Sequence, residues 1–310
     1  MTVTTLSFGA GLLLLCWAGG VLVAVAGRRH AAARFAGDVV PVRQVMAAQL
    51  TGTALNRVVP AGGGLVAAHL ALLRRRGHPS EVMSASVVAY AAAGLLAHAV
   101  LLIAAGSVAA FSGLLPPVTS PQLPELSWPL LIGVGVLTLL TLVGVHRRRP
   151  GGLRAGRATA RAALHAVRTR PAVLARLTAL QMVAQLLMSV GLFGALLATG
   201  TVVSLGGLIV VFVLSTTVMA AVPAPGGTGP VELGLLAGLA FLAVPTAAAV
   251  AAVALFRLVT HWLPVPLGVA VAGSQLRTQR RRSGATGLPN WRAHHDLPVV
   301  TSPATVGAAA

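Results

Sequence analysis

The sequence predicts an all-α polytopic membrane protein, an inverted repeat built around two broken, re-entrant-like helical hairpins. Three observations carry that prediction. Apolar runs repeatedly approach the roughly 20 residues a helix needs to cross hydrocarbon, in a chain that is 56% hydrophobic and 9% charged, with a mean hydropathy of +0.87. Arginines cluster between those runs, as topology signals do. A self-match then lays V-P-A-G-G-G at Val59 on V-P-A-P-G-G at Val222.

The net charge of +18 comes from 23 arginines against five acids, with no lysine. In a soluble chain such a balance would suggest nucleic acid. Here the arginines alternate with membrane-length segments and read as cytoplasmic markers and contacts to anionic lipid, so no nucleic-acid partner is expected. The single Cys16 lies within the first apolar run, which points to neither a disulfide nor a thiolate metal site. No basic stretch precedes that run and Arg28 and Arg29 follow it, the pattern of a retained first helix.

Ser7 to Gly27 reads as the first spanning helix, followed by a cytoplasmic loop with Arg28, Arg29 and Arg34, which puts the N-terminus outside. Val39 to Val58 is apolar but interrupted by Arg43, Gln44, Gln49, Asn56 and Arg57. It meets a break at Pro60 to Gly64, and a short arm, Leu65 to Leu73, returns to Arg74, Arg75 and Arg76. Basic residues at both ends make this a hairpin entered and left from the cytoplasm.

Val82 to Gly106 spans outward, and Ser107 to Ser127 is a Pro-rich outer loop without arginine. Trp128 to Val145 returns inward and ends at Arg147, Arg148 and Arg149. From 153 to 170, Arg154, Arg157, Arg161 and Arg168 share one helical face, as on a helix lying along an anionic leaflet or on a solvated linker. Ala172 to Thr199 spans outward. Val202 to Val222 and Pro230 to Ala240 form the second broken hairpin, and Pro245 to Ala270 runs back to the cytoplasm. The membrane domain is thus residues 1–276, with repeat halves at about 7–106 and 171–270 linked by the helices at 128–145 and 153–170. Residues 277–310 read as a disordered basic tail, rich in Gly, Pro, Ser, Thr and Ala. Of the 23 arginines, 21 fall on the cytoplasmic side of this arrangement; Arg57 and Arg257 are the exceptions.

The repeat runs without a gap from Val59 to His98 against Val222 to His261, with 14 of 40 positions identical at an offset of 163. His69 falls on Glu232, Gly94 on Arg257 and His98 on His261. The first hairpin has both ends inside and the second both ends outside, so the copies are inverted, with the crossing at 128–145 as the odd one. Each apex is followed by a short helix whose positive dipole end points into the membrane interior, a setting suited to a lipid phosphate.

Irregular backbone at membrane depth is tolerated only where protein or a wet cavity surrounds it, which makes Ala221 to Glu232 a candidate site. Glu232 is the one acid at that depth, so it is a functional candidate by default. The blander reading is that it caps its own helix start or pairs with Arg257 or Arg57. Arg257 lies about halfway along the last segment and needs a partner or a wet cavity, with phosphate binding and an ion pair to Glu232 equally open. His261 is one turn further on the same face; a packed interface histidine is its plainer role. Arg57 sits beside the first apex, where it could hold phosphate or snorkel to an interface. His69 reads as a packed histidine. The apex glycines are mainly backbone devices, with ligand contact through amides as a second role.

Together, P-A-P-G-G-T-G-P-V-E, L-F-R-L-V-T-H-W-L-P, N-R-V-V-P-A-G-G-G and L-L-R-R-R-G resemble the flippase-like family of the lysylphosphatidylglycerol synthase transmembrane region, over roughly residues 11–276. The resemblance implies a membrane domain that moves or handles lipids, aminoacylated phosphatidylglycerol in some members and polyprenyl-linked sugars in others. Carried over by position, it singles out Pro225, Gly226, Gly227, Gly229, Glu232 and Arg257, with Asn56, Arg57, Pro60 and Gly63 in the first half. The 310 residues contain no soluble aminoacyl-transfer domain, so the synthase activity is not carried over.

No phosphate loop, nucleophile elbow or metal-spaced His and acid cluster is legible, so no catalytic residue, metal or cofactor is expected. The expected function is binding and translocation of an anionic or zwitterionic phospholipid, or a lipid-linked saccharide, at a midplane cavity of the cell membrane. The alternatives are a membrane-embedded transferase on polyprenyl-phosphate sugars and a non-transporting assembly partner.

Overall fold

In a computed structural model, residues 3–59, 63–111, 168–221 and 229–285 are described, together with Arg161 and His165. Every regular element among them is helical, in the order α1 (Val3–Phe35), α2 (Val42–Leu55), α3 (Gly63–Arg75), α4 (Ser80–Phe111), α5 (Pro171–Ala198), α6 (Leu205–Ala221), α7 (Pro230–Phe241), α8 (Thr246–Arg257), a π-helical turn (Leu258–Trp262) and α9 (Pro264–Ala285). Among the described residues four stretches are long and apolar enough to cross a bilayer: Val3–Phe35, Ser80–Ala104, Pro171–Ala198 and Thr246–Thr278. The chain is an all-α, polytopic membrane protein. The crossing expected at 128–145 lies outside the described residues, as does most of the basic helix at 153–170.

Three expectations need correction. Arg28, Arg29 and Arg34 are not in a loop, because α1 continues through them to Phe35. The segment from Ala24 to Ala33 is rich in alanine and arginine, both strong helix formers, and nothing stops it before Gly37 at φ +66°. The last segment is not one regular helix. Its i→i−4 ladder loosens at Leu258–Trp262, where the Leu263 amide reaches Leu258 O at 2.8 Å, one residue further back than an α-helix allows. Pro264 and Pro266 supply no amides there, and a π turn accommodates that loss. Finally, α9 extends to Ala285, so residues 277–285 are helical where a disordered tail is expected.

Helices α1 and α5 make the most extensive contact among the described elements. It is made possible by small residues: a Cβ at Gly9 would strike the backbone oxygen of Gly194, and one at Gly194 would lie 2.8 Å from Gly9 O. Without a hydrophobic drive between helices in lipid, such backbone approach is what binds them. Leu13 of α1 and Leu192 and Leu196 of α5 then form a core with Phe212, Leu235, Leu239 and Phe256 from α6, α7 and α8. Phe212 and Phe256 meet edge to face with centroids 5.9 Å apart. All of this packing belongs to one unit, Met1–Val271; Ala272–Ala310 forms a second, of which the later part of α9 is described.

The hairpin arms are short. At about 1.5 Å rise per residue, the 14 residues of α2 and the 13 of α3 span roughly 20 Å each, less than the hydrocarbon thickness of about 30 Å. The 163-residue offset seen in the sequence also relates backbone features beyond the matched segment. Helix α1 ends at Phe35 and α5 at Ala198; left-handed glycines follow at Gly37 and Gly200; α2 begins at Val42 and α6 at Leu205.

Candidate functional site

Gly229 is the N-cap of α7 and has φ +102°, a conformation glycine adopts freely. That bend brings its amide within 2.7 Å of Glu232 Oε2, which accepts the hydrogen bond. Glycine has no side chain to return the favour, so the cap here comes from Glu232, whose negative charge also suits the positive end of α7. The other carboxylate oxygen, Oε1, accepts from Arg257 Nε at 2.5 Å. Capping and ion pairing, separate alternatives in the sequence, are therefore performed by one side chain.

Arg257 ends α8, directly before the π turn, and its side chain is 14% exposed against 27% for Glu232. One turn on, His261 is buried and packs edge-on against Trp262 with centroids 5.4 Å apart. The Arg57 guanidinium lies against the same imidazole, with Nη1 2.5 Å from Nδ1 and 2.6 Å from Nε2. A neutral imidazole has one accepting nitrogen, so Arg57 Nη1 donates to whichever ring nitrogen of His261 carries the lone pair. Arg57 comes from the turn after α2, Glu232 from α7, and Arg257 and His261 from the last segment. Three stretches distant in sequence thus gather two guanidiniums, one carboxylate and one imidazole at an interruption in the apolar core.

Asn56 takes a structural part. Its Oδ1 accepts the Leu65 amide at 2.9 Å, tying the end of α2 to the first turn of α3 across the apex. A Cβ at Gly64 would lie 2.6 Å from backbone atoms of Leu55 and Asn56, so that closure needs glycine there. At Gly63 an added Cβ would meet Val59 Cγ1 at 2.7 Å. Pro60, Pro225, Gly226 and Gly227 lie outside the described residues. His69 is buried on α3 and gives its Nδ1 proton to Leu65 O at 2.9 Å. Among the described residues no three His, Cys, Asp or Glu side chains gather as metal ligands.

Two features escaped the sequence reading. A cavity of about 180 Å³ lies between α1, α2, α5 and the π turn; its wall is mostly apolar but includes Gln49, Thr53 and Thr260. Gln49, Thr53 and Arg57 recur every four residues, a polar stripe legible on an otherwise apolar arm. Arg28 is the second. Far from marking a loop, its side chain turns inward, donates from Nε to Gln49 Oε1 at 2.8 Å and lies 4.2 Å over the Tyr90 ring. The unexpected glutamine inside an apolar segment was the available signal.

Comparison with curated proteins finds no match. The family model described as "Lysylphosphatidylglycerol synthase TM region" matches residues 2–268, from the start of α1 into α9. The match takes in both hairpins and every residue of the cluster, and the chain belongs to this family of lipid-related membrane proteins, the lysylphosphatidylglycerol synthase TM region.

Proposed function

We propose that this protein binds and translocates an anionic or zwitterionic phospholipid, or a lipid-linked saccharide, at the cluster of Arg57, Glu232, Arg257 and His261. One observation carries the reading. Among the described residues the cluster brings together two guanidiniums, one on His261 and one on Glu232, with a single carboxylate, a fork-shaped donor set suited to phosphate. Glu232 would exchange its bond to Arg257 for a cationic or hydroxylated headgroup, and amides of the apices holding Gly63, Gly226 and Gly227 would complete the shell. The cavity with Thr53 and Thr260 on its wall gives room beside the charges for part of such a ligand.

In this reading the two hairpins are re-entrant, the halves are inverted copies that rock about the site, and the protein lies in the plasma membrane with its N-terminus outside and C-terminus in the cytoplasm. It works as a carrier, without chemistry on the lipid. The test is translocation in proteoliposomes of labelled phosphatidylglycerol, lysyl-phosphatidylglycerol and polyprenyl-phosphate lipids. Headgroup-selective movement by the wild type, reduced at least tenfold in Glu232→Gln and Arg257→Ala, supports the proposal. A folded wild-type protein that moves none of the three above empty liposomes refutes it.

A further inference from the structure

A second polar centre lies in the first half, between α1, α2, α3 and α4. A cavity of about 20 Å³, room for one particle of water or halide size, is lined by Arg28, His69, Ser86 and Tyr90 among apolar side chains that include Val45 and Leu73. Tyr90 carries the Arg28 guanidinium on its ring face, and Gln49 holds Nε, which fixes the direction of the remaining donors. Ser86 and His69 are 5% and 6% exposed. Because His69 Nδ1 donates to Leu65 O, its Nε2 is the free end of the ring; it is buried and has no hydrogen-bond partner among the described residues.

The repeat sharpens the point. His69 occupies the position of Glu232. In the second half the part-buried cation, Arg257, finds its counter-charge in that acid. In the first half the cation is Arg28, and the equivalent position holds a base. Among the described residues Arg28 joins no ion pair, whereas Arg257 pairs with Glu232. The groups facing His69 from the packed helices are Arg28 from α1, Val45 from α2, and Ser86 and Tyr90 from α4, with no carboxylate. A charge held this way is costly unless something compensates it.

We infer that this cavity binds a chloride-sized inorganic anion together with one proton, the anion held by the Arg28 guanidinium, the Ser86 hydroxyl and a protonated His69 Nε2. Arg28 supplies a permanent charge and His69 a second one that arrives with the ligand. Binding takes up one anion and one proton, so the net charge of the site rises by nothing. The site is separate from the lipid cluster and its occupancy can be read without any lipid substrate.

The experiment is a thermal-unfolding titration of the purified full-length protein with sodium chloride against sodium gluconate at equal ionic strength, from pH 5.5 to 8. A saturable rise in Tm with chloride, absent with gluconate, is expected, with the apparent Kd weakening about tenfold per pH unit once His69 is neutral. Arg28→Gln should lose the chloride response. His69→Gln, which keeps a donor but no titratable proton, should retain a response that no longer changes with pH. Should Arg28→Gln fail to fold, Arg28→Lys takes its place, with chloride bound at least several-fold more weakly because the fork and the stacking on Tyr90 are lost. Equal behaviour in chloride and gluconate leaves the cavity to water and overturns the inference. So does a wild-type response independent of pH, or one left unchanged in the Arg28 variant.

Discussion

At Glu232 one carboxylate accepts from two donors of different kinds, the Gly229 amide and the Arg257 guanidinium. The two roles separate by substitution. Glu232→Gln keeps an oxygen for the amide but removes the counter-charge, leaving Arg257 half-desolvated at membrane depth. Breaking a fully buried pair costs about 3–5 kcal/mol; with both side chains still partly exposed, about 1–3 kcal/mol is expected here. Urea or thermal unfolding in detergent would measure it. The companion variant Arg257→Gln and the double variant complete a cycle, in which the double should cost less than the two singles added together. Strict additivity would mean the contact contributes no coupling. Only part of this was legible in sequence. The acid and the arginine were marked by their depth, but a separation of 25 residues across two helices says nothing about reach. Nor does spacing reveal that Arg57 meets His261 across 204 residues.

At the level of elements, two devices set the helices in place. The first is the glycine contact of α1 with α5. A valine at Gly9 would drive its Cβ into the backbone of Gly194 and Ala198, atoms that cannot turn aside. Overpacking of that kind costs about 1–3 kcal/mol, so Gly9→Val should lower Tm by several degrees. Gly11 is two residues away on the same helix with nothing within 4 Å of its would-be Cβ, and Gly11→Val should leave Tm unchanged within a degree or so. Equal losses at both positions would mean the helix dislikes valine for reasons unrelated to α5. The second device is a latch at the base of the first hairpin. Asp38, before α2, accepts from Arg76 Nη2 at 2.7 Å and lies 2.9 Å from His78 Nε2, both after α3. Arg76 also binds it through Nε and reaches Gln44 at 3.2 Å. These bonds, Arg76 first and His78 second, hold the Asp38 carboxyl down to about 2 from its ordinary 3.8. The folded value is the lower one, so the latch stabilises fully above about pH 4 and its contribution fades as pH falls from there toward 2. Asp38→Asn should lower Tm at pH 7 and flatten the decline between pH 4 and 3 relative to wild type. An unaltered acid limb in that variant would place the acid sensitivity elsewhere.

For the whole molecule, hydropathy and punctuation carried most of the architecture. Pro41, Pro171, Pro230 and Pro245 stand at or just before helix starts, where a missing amide costs nothing, and the apices follow the Pro and Gly clusters. What escaped was the destination of long side chains. An arginine at the end of an apolar run is normally taken to lie in water, and Arg28 instead uses its reach to enter a polar pocket. The π turn was equally hidden, because proline marks a disturbance without saying how the ladder yields. The inverted relation of the two halves rests on the arginine distribution alone, and the offset of 163 supplies its own test. Val39 and Val202 are equivalent under it; each lies just before the first arm of its hairpin, and they are 64% and 75% exposed. With buried Cys16 replaced by serine, Val39→Cys and Val202→Cys each give one reporter thiol. An inverted repeat puts these two loops on opposite sides of the membrane, whereas a parallel repeat puts them on the same side. A membrane-impermeant maleimide added to intact cells should label Cys at 202 and reach Cys at 39 only after permeabilisation. Labelling of both from outside, or of neither, would dissolve the inversion and with it the rocking mechanism, while leaving the charged cluster of Arg57, Glu232, Arg257 and His261 untouched.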